Sequence, residues 1–278
     1  MAPAGRVVDT RHRGGLGDFS SMKRIAALAV LLVLSAWPAR AEEPIRFGIG
    51  DEPYPPFASK DQSGNWAGWE IDMQKLICAQ MQAQCVLVPS GWDGMIPSLQ
   101  QHKIDVIWAS MTNTPDRRQV IAFTDKYYSS PNVFIGPKAV PVTIDFAKPD
   151  TLKGLTIGVQ TATIHASYLA KHFNSAVETK LYDTFDNANA DLVAGRIDLV
   201  FADKISLVQF LKSPQGQEME VKATAPADPL LGQGVAGGLR KDDTALKARI
   251  DAAIAAVRKD GSYDALARRY FDFDIYGE

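Results

Sequence analysis

The sequence contains little cysteine and little histidine: two cysteines and four histidines in 278 residues. It has no Gly-x-Ser-x-Gly elbow, no His-Glu-x-x-His pair, no Cys-x-x-Cys and no phosphate-binding loop, which removes the common signatures of hydrolases, zinc proteases, dithiol oxidoreductases and nucleotide triphosphatases. A literal Gly-x-Gly-x-x-Gly occurs at 232–237, but no strand–turn–helix pattern surrounds it, so dinucleotide binding is not indicated. The sequence therefore predicts no catalytic centre, no metal site and no cofactor.

Basic residues are also in deficit over most of the chain. The formal net charge is −2, but residues 1–41 hold six Lys/Arg and two Asp/Glu, which leaves 24 basic and 30 acidic residues in 42–278. Because no basic surplus is available to neutralise phosphates, we expect no nucleic-acid partner. Hydrophobic residues make up 46% of the chain, which excludes a disordered protein, and the length suits one large or two modest domains.

The one long hydrophobic run lies near the N-terminus. Met-Lys-Arg at 22–24 precedes an apolar stretch at 25–36, and the segment ends on Ala39-Arg40-Ala41. This pattern is typical of a secretory signal peptide, so we expect residues 1–41 to be a leader, with the signal peptide at 22–41 and cleavage after Ala41. The run is shorter than the roughly 20 residues that a transmembrane helix needs. We therefore expect a soluble, exported protein.

After the leader, short apolar strands alternate with segments of helix length, which predicts an α/β fold. Two octapeptides are similar: Lys-Ile-Asp-Val-Ile-Trp-Ala-Ser at 103–110 and Arg-Ile-Asp-Leu-Val-Phe-Ala-Asp at 196–203. Each is the third strand of a strand–helix–strand–helix–strand run, so we predict two similar lobes, each a mostly parallel sheet with helices on both faces. Open α/β sheets bind ligands at the carboxyl ends of their strands, which places Ser110 and Asp203 on the walls of a cleft between the lobes.

Two segments rich in proline and glycine, 129–134 and 226–235, flank the second lobe. The simplest topology crosses between the lobes at both segments. Lobe 1 is then 42–131 plus 232–278, and lobe 2 is 132–231. Two crossovers of this kind form a hinge.

The two cysteines, Cys78 and Cys85, lie seven positions apart and follow the predicted cleavage site. In an oxidising compartment this spacing favours a local disulfide that joins the end of a helix to the next strand. Two reduced structural thiols are the alternative.

Three motifs resemble those of the polar amino-acid family of periplasmic solute-binding proteins (bacterial extracellular solute-binding proteins, family 3). They are Asp-Glu-Pro-Tyr-Pro-Pro-Phe at 51–57, Gly-Trp-Glu-Ile-Asp at 68–72 and Met-Thr-Asn-Thr-Pro-Asp-Arg at 111–117. The resemblance extends over 44–278, and the cysteine pair resembles the branch that binds lysine, arginine, ornithine, histidine or opines. It implies the type II periplasmic binding protein fold, with two lobes and two hinge crossovers.

The resemblance also implies which residues hold the charged ends of an amino acid. Arg117 would clamp the ligand α-carboxylate, since a guanidinium forms two parallel hydrogen bonds to a carboxylate. The backbone N–H of Thr163, at the start of a helix, would bind the same carboxylate. Asp203 would accept the α-ammonium, and Ser110 and Thr112 would complete these contacts.

Four residues are candidates for contact with the ligand side chain: Asp51, Tyr54, Glu70 and Trp92. The two aromatic rings could enclose an aliphatic stem, and the two acids match positions that receive a cationic side chain in the basic-amino-acid branch. Members of the family with uncharged ligands also carry an acid after Gly-aromatic, so Glu70 alone does not specify a cation. His165 is a further candidate, although a lone histidine on a helix is more often a structural residue.

The sequence thus predicts the substrate-binding component of an ABC importer for amino acids, a monomer with no enzymatic activity. It would bind a polar, cationic amino acid or an opine and deliver it to a permease in the inner membrane. The alternative is a periplasmic cyclohexadienyl (prephenate/arogenate) dehydratase on the same fold. A dehydratase substrate carries an extra carboxylate and calls for a second cation, whereas this pocket is predicted to offer Asp51 and Glu70.

Overall fold

The computed structural model describes residues 5–10 and 43–277. The predicted signal peptide at 22–41 lies outside the described residues. Within the described ranges, no helix combines the length and the hydrophobicity needed to cross a membrane.

Strands and helices alternate along the chain, as the sequence pattern predicts. The strands are β1 (Ile45–Gly50), β2 (Ser59–Lys60), β3 (Trp66–Ala67), β4 (Cys85–Ser90), β5 (Val106–Ile107), β6 (Ala122–Tyr128), β7 (Asn132–Pro137), β8 (Thr156–Gln160), β9 (Glu178–Tyr182), β10 (Leu199–Asp203), β11 (Met219–Thr224) and β12 (Val235–Leu239). The α-helices are α1 (Trp69–Gln80), α2 (Met95–Gln100), α3 (Pro115–Arg118), α4 (Ile164–His172), α5 (Phe185–Val193), α6 (Lys204–Lys212), α7 (Thr244–Lys259) and α8 (Ser262–Ala267).

Three of the helices begin directly after a threonine. The side-chain oxygens of Thr114, Thr163 and Thr184 accept the backbone N–H three residues further on, at 3.2–3.3 Å. This contact satisfies a donor that the first turn of a helix leaves unpaired, and its loss typically costs about 1 kcal/mol. These threonines therefore fix where α3, α4 and α5 start.

Ten of the strands form two five-stranded sheets, with strand orders β4-β1-β5-β12-β6 and β11-β7-β10-β8-β9. The two repeated octapeptides contribute the central strand of each sheet, β5 in the first and β10 in the second. In each sheet the central strand pairs in parallel with the first strand of a strand–helix–strand unit, β1 or β8. The α/β class with two sheets is confirmed.

Each sheet is mostly parallel, as predicted: four of its five strands run in one direction and one strand runs against them. β12 runs antiparallel to β5 and β6, and β7 runs antiparallel to β10 and β11. These four strands adjoin the two places where the chain passes from one sheet to the other, between β6 and β7 and between β11 and β12. A chain that enters and leaves a sheet along two neighbouring strands must reverse direction between them, which explains why each sheet has one antiparallel strand, β12 in the first and β7 in the second.

An aspartate in each octapeptide makes the same contact in the two sheets. Asp105 accepts the backbone N–H of Arg46 at 3.0 Å, near the start of β1. Asp198 accepts the backbone N–H of Thr156 at 2.7 Å, at the start of β8. The repeat in the sequence is therefore a repeat of structure.

An isoleucine in each octapeptide packs on a glycine of the neighbouring strand. A Cβ atom added to Gly48 would lie 2.4 Å from Cδ1 of Ile104, and one added to Gly158 would lie 2.5 Å from Cδ1 of Ile197. Both distances are well below van der Waals contact, so each glycine makes room for the isoleucine against the sheet.

Aromatic stacking fills the core beside each central strand. The rings of Trp108 and Tyr127 stack with centroids 4.1 Å apart behind the first sheet, and those of Phe134 and Phe201 stack at 4.0 Å in the second. All four side chains are fully buried. Each octapeptide is thereby held by a large stacked ring two residues before the residue that ends it.

Cys78 and Cys85 form a disulfide, which confirms the predicted pairing. It joins the last part of α1 to the first residue of β4. The side chain of Gln74, one turn earlier in α1, donates to the sulfur of Cys78 at 3.3 Å.

Removal of the disulfide in a Cys78→Ala/Cys85→Ala variant should lower the free energy of unfolding by about 2–3 kcal/mol, because the closed loop restricts the unfolded chain. Urea denaturation followed by circular dichroism measures the change. The unmodified protein under a reductant should lose a similar amount. Equal stability of the oxidised and reduced proteins would contradict the expectation.

Candidate functional site

A cavity lies where the carboxyl ends of strands from both sheets converge. β1 ends at Gly50, β8 at Gln160 and β10 at Asp203, and Ser110 follows β5; all four residues line it. Nine of the ten residues predicted to bind ligand line this cavity: Tyr54, Glu70, Trp92, Ser110, Thr112, Arg117, Thr163, His165 and Asp203. The tenth, Asp51, is exposed and lies outside the lining.

Arg117 enters the cavity from the short helix α3. Its guanidinium donates to the carbonyl oxygen of Thr112 at 3.0 Å and to that of Ala162 at 3.1 Å. The Ala162 contact spans the cavity, because Ala162 follows β8 in the second sheet. The guanidinium also lies 5.4 Å from the centroid of the Trp92 ring, within cation–π range. Burial lowers the pKa of Arg117 to about 10, with the charge of Asp203 acting in the opposite direction, so it remains a cation at neutral pH.

Asp203 faces the cavity from the second sheet. Its carboxylate accepts a hydrogen bond from the hydroxyl of Tyr54 at 2.9 Å, and Tyr54 belongs to the loop after β1. Burial raises the pKa of Asp203 to about 6, although the hydrogen bond from Tyr54 and the charge of Arg117 favour the ionised form. Two side chains of opposite charge thus share one desolvated space, each with a neutral partner from the other sheet.

The start of α4 forms a further wall. The Thr163 hydroxyl donates to the carbonyl oxygen of Gln160 at 2.7 Å, which holds the first turn of α4 against the end of β8. His165 is buried, its Nε2 lies 2.8 Å from Oδ1 of Asn132, and its ring packs edge-on against Phe201. Burial and the charge of Arg117 lower the pKa of His165 to about 3, so the imidazole is neutral at physiological pH.

Glu70 lines the cavity but is only 1% exposed. Its carboxylate accepts the backbone N–H of Ser110 at 2.8 Å, the Ser110 hydroxyl at 3.0 Å and the hydroxyl of Tyr127. These contacts hold Ser110 at a φ of 55°, a left-handed conformation that is uncommon for serine. Desolvation raises the pKa of Glu70, whereas the three hydrogen bonds lower it. Contact between Glu70 and a ligand stays a prediction. The structure gives Glu70 a further role, which is to support Ser110.

Sequence reasoning missed several lining residues, of which Glu52 and Gln160 carry polar groups. Gln160 is the last residue of β8, so the rule that ligands bind at the carboxyl ends of strands could have found it. Glu52 gave no such signal, because it lies in a loop next to an equally acidic Asp51. Phe185 and Phe201 add apolar surface to the same walls.

The comparisons with known proteins agree on one family. Residues 45–273 match the family described as bacterial extracellular solute-binding proteins, family 3. A histidine-binding periplasmic protein of Salmonella typhimurium is 39% identical over 263 residues, which cover 92% of this chain and 100% of that protein. A lysine/arginine/ornithine-binding periplasmic protein of Escherichia coli is 37% identical over 262 residues, with 92% and 99% covered. A solved ancestral arginine-binding protein bound to arginine matches with a TM-score of 0.76 at 28% identity, covering 83% of this chain and 99% of that chain.

Glu70→Gln should lower the free energy of unfolding by about 1–3 kcal/mol, because an amide cannot accept from all three donors and leaves a buried polar group unsatisfied. Chemical denaturation measures the loss. Glu178→Gln, which alters an exposed acid of the second sheet, is the matched control and should be close to neutral. Equal stability of the two variants would show that the three hydrogen bonds contribute nothing.

Proposed function

The chain belongs to family 3 of the bacterial extracellular solute-binding proteins, and on that premise we propose that it is the periplasmic amino-acid receptor of an ABC importer. It captures an amino acid in the cavity between its two sheets and delivers it to a permease in the inner membrane. The observation that carries the proposal is that Arg117 and Asp203, from different sheets, face one cavity with opposite charges.

The two charged side chains match the two charges of a free amino acid. Arg117 binds the α-carboxylate, assisted by the backbone N–H at Thr163 where α4 begins. Asp203 accepts the α-ammonium, and Ser110 and Thr112 complete the contacts around both groups. A molecule with no charged groups would give neither Arg117 nor Asp203 a charged partner, so it would bind poorly.

The rest of the cavity favours a polar ligand with a cationic side chain. Tyr54 and Trp92 offer aromatic faces for an aliphatic stem or a guanidinium, and Glu70 adds a carboxylate to the lining. The relatives named for histidine and for lysine, arginine and ornithine support this class. Opines carry the same charged groups, so the ligand panel that tests this proposal includes them. Asp51 enters this proposal only as an exposed acid at the margin of the site.

The same lining argues against dehydratase chemistry. Among the described residues that line the cavity, Arg117 is the one guanidinium or ammonium group, and His165 is neutral at physiological pH. A substrate with an additional carboxylate would find no second cation. We therefore infer a binding protein without enzymatic activity, for which an assay with prephenate and arogenate is the direct test.

Closure depends on a ligand that both halves contact. Only two segments link the sheets, one between β6 and β7 and one between β11 and β12, which suits a hinge between lobe 1 (42–131 plus 232–278) and lobe 2 (132–231). An amino acid bound to Arg117 and Asp203 stabilises the closed form by its differential affinity for that form. The receptor acts as a monomer and presents this form to the permease.

Arg117→Ala should weaken binding of arginine or lysine by about 100-fold or more, because the desolvated carboxylate loses its charged partner. Isothermal titration of protein refolded to remove carried-over ligand measures the change. Arg118→Ala is the control: Arg118 is exposed, donates to Asn113, and should keep the affinity of the unmodified protein. An unchanged dissociation constant for Arg117→Ala would show that Arg117 does not bind the ligand.

A thermal-shift panel of amino acids tests the ligand class separately. If only a neutral amino acid raises the melting temperature, a cationic ligand is refuted.

Binding should also weaken in acid. Asp203 has a pKa raised to about 6, and it must be ionised to accept the ammonium, so protonation competes with the ligand below that pH. Between pH 7 and pH 5 the affinity for arginine should fall about tenfold, since one proton is displaced per ligand bound. Titration calorimetry at both values measures this, and Asp203→Asn should bind weakly with little dependence on pH. A constant affinity down to pH 5 would contradict the assignment of Asp203.

A further inference from the structure

Two side chains from different sheets meet at the edge of the cavity. Glu52 lies in the loop after β1, and Gln160 is the last residue of β8. The Nε2 group of Gln160 donates to Oε1 of Glu52 and, at 3.0 Å, to the carbonyl oxygen of Asp183. Both hydrogens of the Gln160 amide are thereby used within the protein, and one of them connects the two sheets.

The surroundings of Glu52 favour its attachment to the second sheet. The backbone N–H of Phe185, the first residue of α5, interacts with the Glu52 carboxylate and favours its ionised form. A helix N-terminus stabilises a negative charge, so α5 and Gln160 act on Glu52 from the same side. Burial, Asp51 and Asp186 raise the pKa of Glu52, whereas Gln160 and the Phe185 N–H lower it.

We propose that Glu52 and Gln160 form a latch across the cleft, a positioning pair that stabilises the closed form and slows release of any bound amino acid. This proposal rests on the proposed receptor function. The latch needs no group of the ligand, because the amide of Gln160 and the N–H of Phe185 already satisfy the carboxylate. Its effect is therefore the same for every ligand, unlike that of a residue that recognises a side chain.

Glu52→Ala, Gln160→Ala and the double variant test the latch through dissociation rates of arginine, lysine and histidine, followed in a stopped-flow instrument by tryptophan fluorescence. Trp92 lines the cavity and provides the signal. Each single variant should release all three ligands about tenfold faster, the loss expected for one hydrogen bond to a charged group. The double variant should release them no faster than Glu52→Ala alone, because that variant already removes both contacts of the Glu52 carboxylate. Glu218→Gln is the control. Glu218 is an exposed acid directly before β11, so this variant should keep the original rates.

Faster release of only some of the three ligands would show that Glu52 reads the side chain and would overturn the latch, as would unchanged rates for all three. If the unmodified protein binds no amino acid, the proposed receptor function fails. The latch is then tested by small-angle X-ray scattering of the ligand-free proteins, which measures the radius of gyration. A larger radius of gyration for Glu52→Ala and Gln160→Ala than for the unmodified protein then supports it, and equal radii overturn it.

Discussion

The arrangement of the site depends on two opposite charges that share one poorly hydrated cavity. Arg117 and Asp203 each lose hydration, as the lowered pKa of the first and the raised pKa of the second indicate. Neither is bonded directly to the other: the guanidinium donates to two backbone carbonyls, and the carboxylate accepts from Tyr54. Neutral partners satisfy hydrogen-bonding groups without cancelling charge, so the cavity keeps a fixed polarity for a zwitterion.

The internal repeat explains how the two walls acquired different chemistry on one scaffold. Asp105 and Asp198 secure the start of the neighbouring strand in the same way in both sheets, so the strand ends are equivalent in position. At the last residue of the repeat the sheets diverge. Ser110 is bound to a buried carboxylate from its own sheet, whereas Asp203 extends its own carboxylate into the cavity. The scaffold is shared, and single side chains at its strand ends carry the roles proposed for the site.

Much of the fold and most of the site could be predicted from the sequence, because periodicity and strand ends are local signals. The one antiparallel strand of each sheet, β12 or β7, could not, since neither belongs to the strand–helix alternation. Glu70 was expected to contact the ligand side chain, and its hydrogen bond from Tyr127, 57 residues away in sequence, could not be found from a local pattern. Of two adjacent acids in the loop after β1, Glu52 lines the cavity and Asp51 is exposed outside it, and the sequence carries no pattern that distinguishes them.

Among the described residues, three hydrogen bonds made by side chains cross the cavity: Tyr54 with Asp203, Arg117 with the Ala162 carbonyl, and Glu52 with Gln160. The first two engage the residues proposed to hold the ligand, so a bound amino acid must share or replace them. The third leaves those residues free. A receptor needs both kinds of contact, because a ligand shifts the balance between open and closed forms only by the free energy it adds to the closed one. Contacts that exchange with the ligand make closure selective, and a contact independent of it sets how long closure lasts.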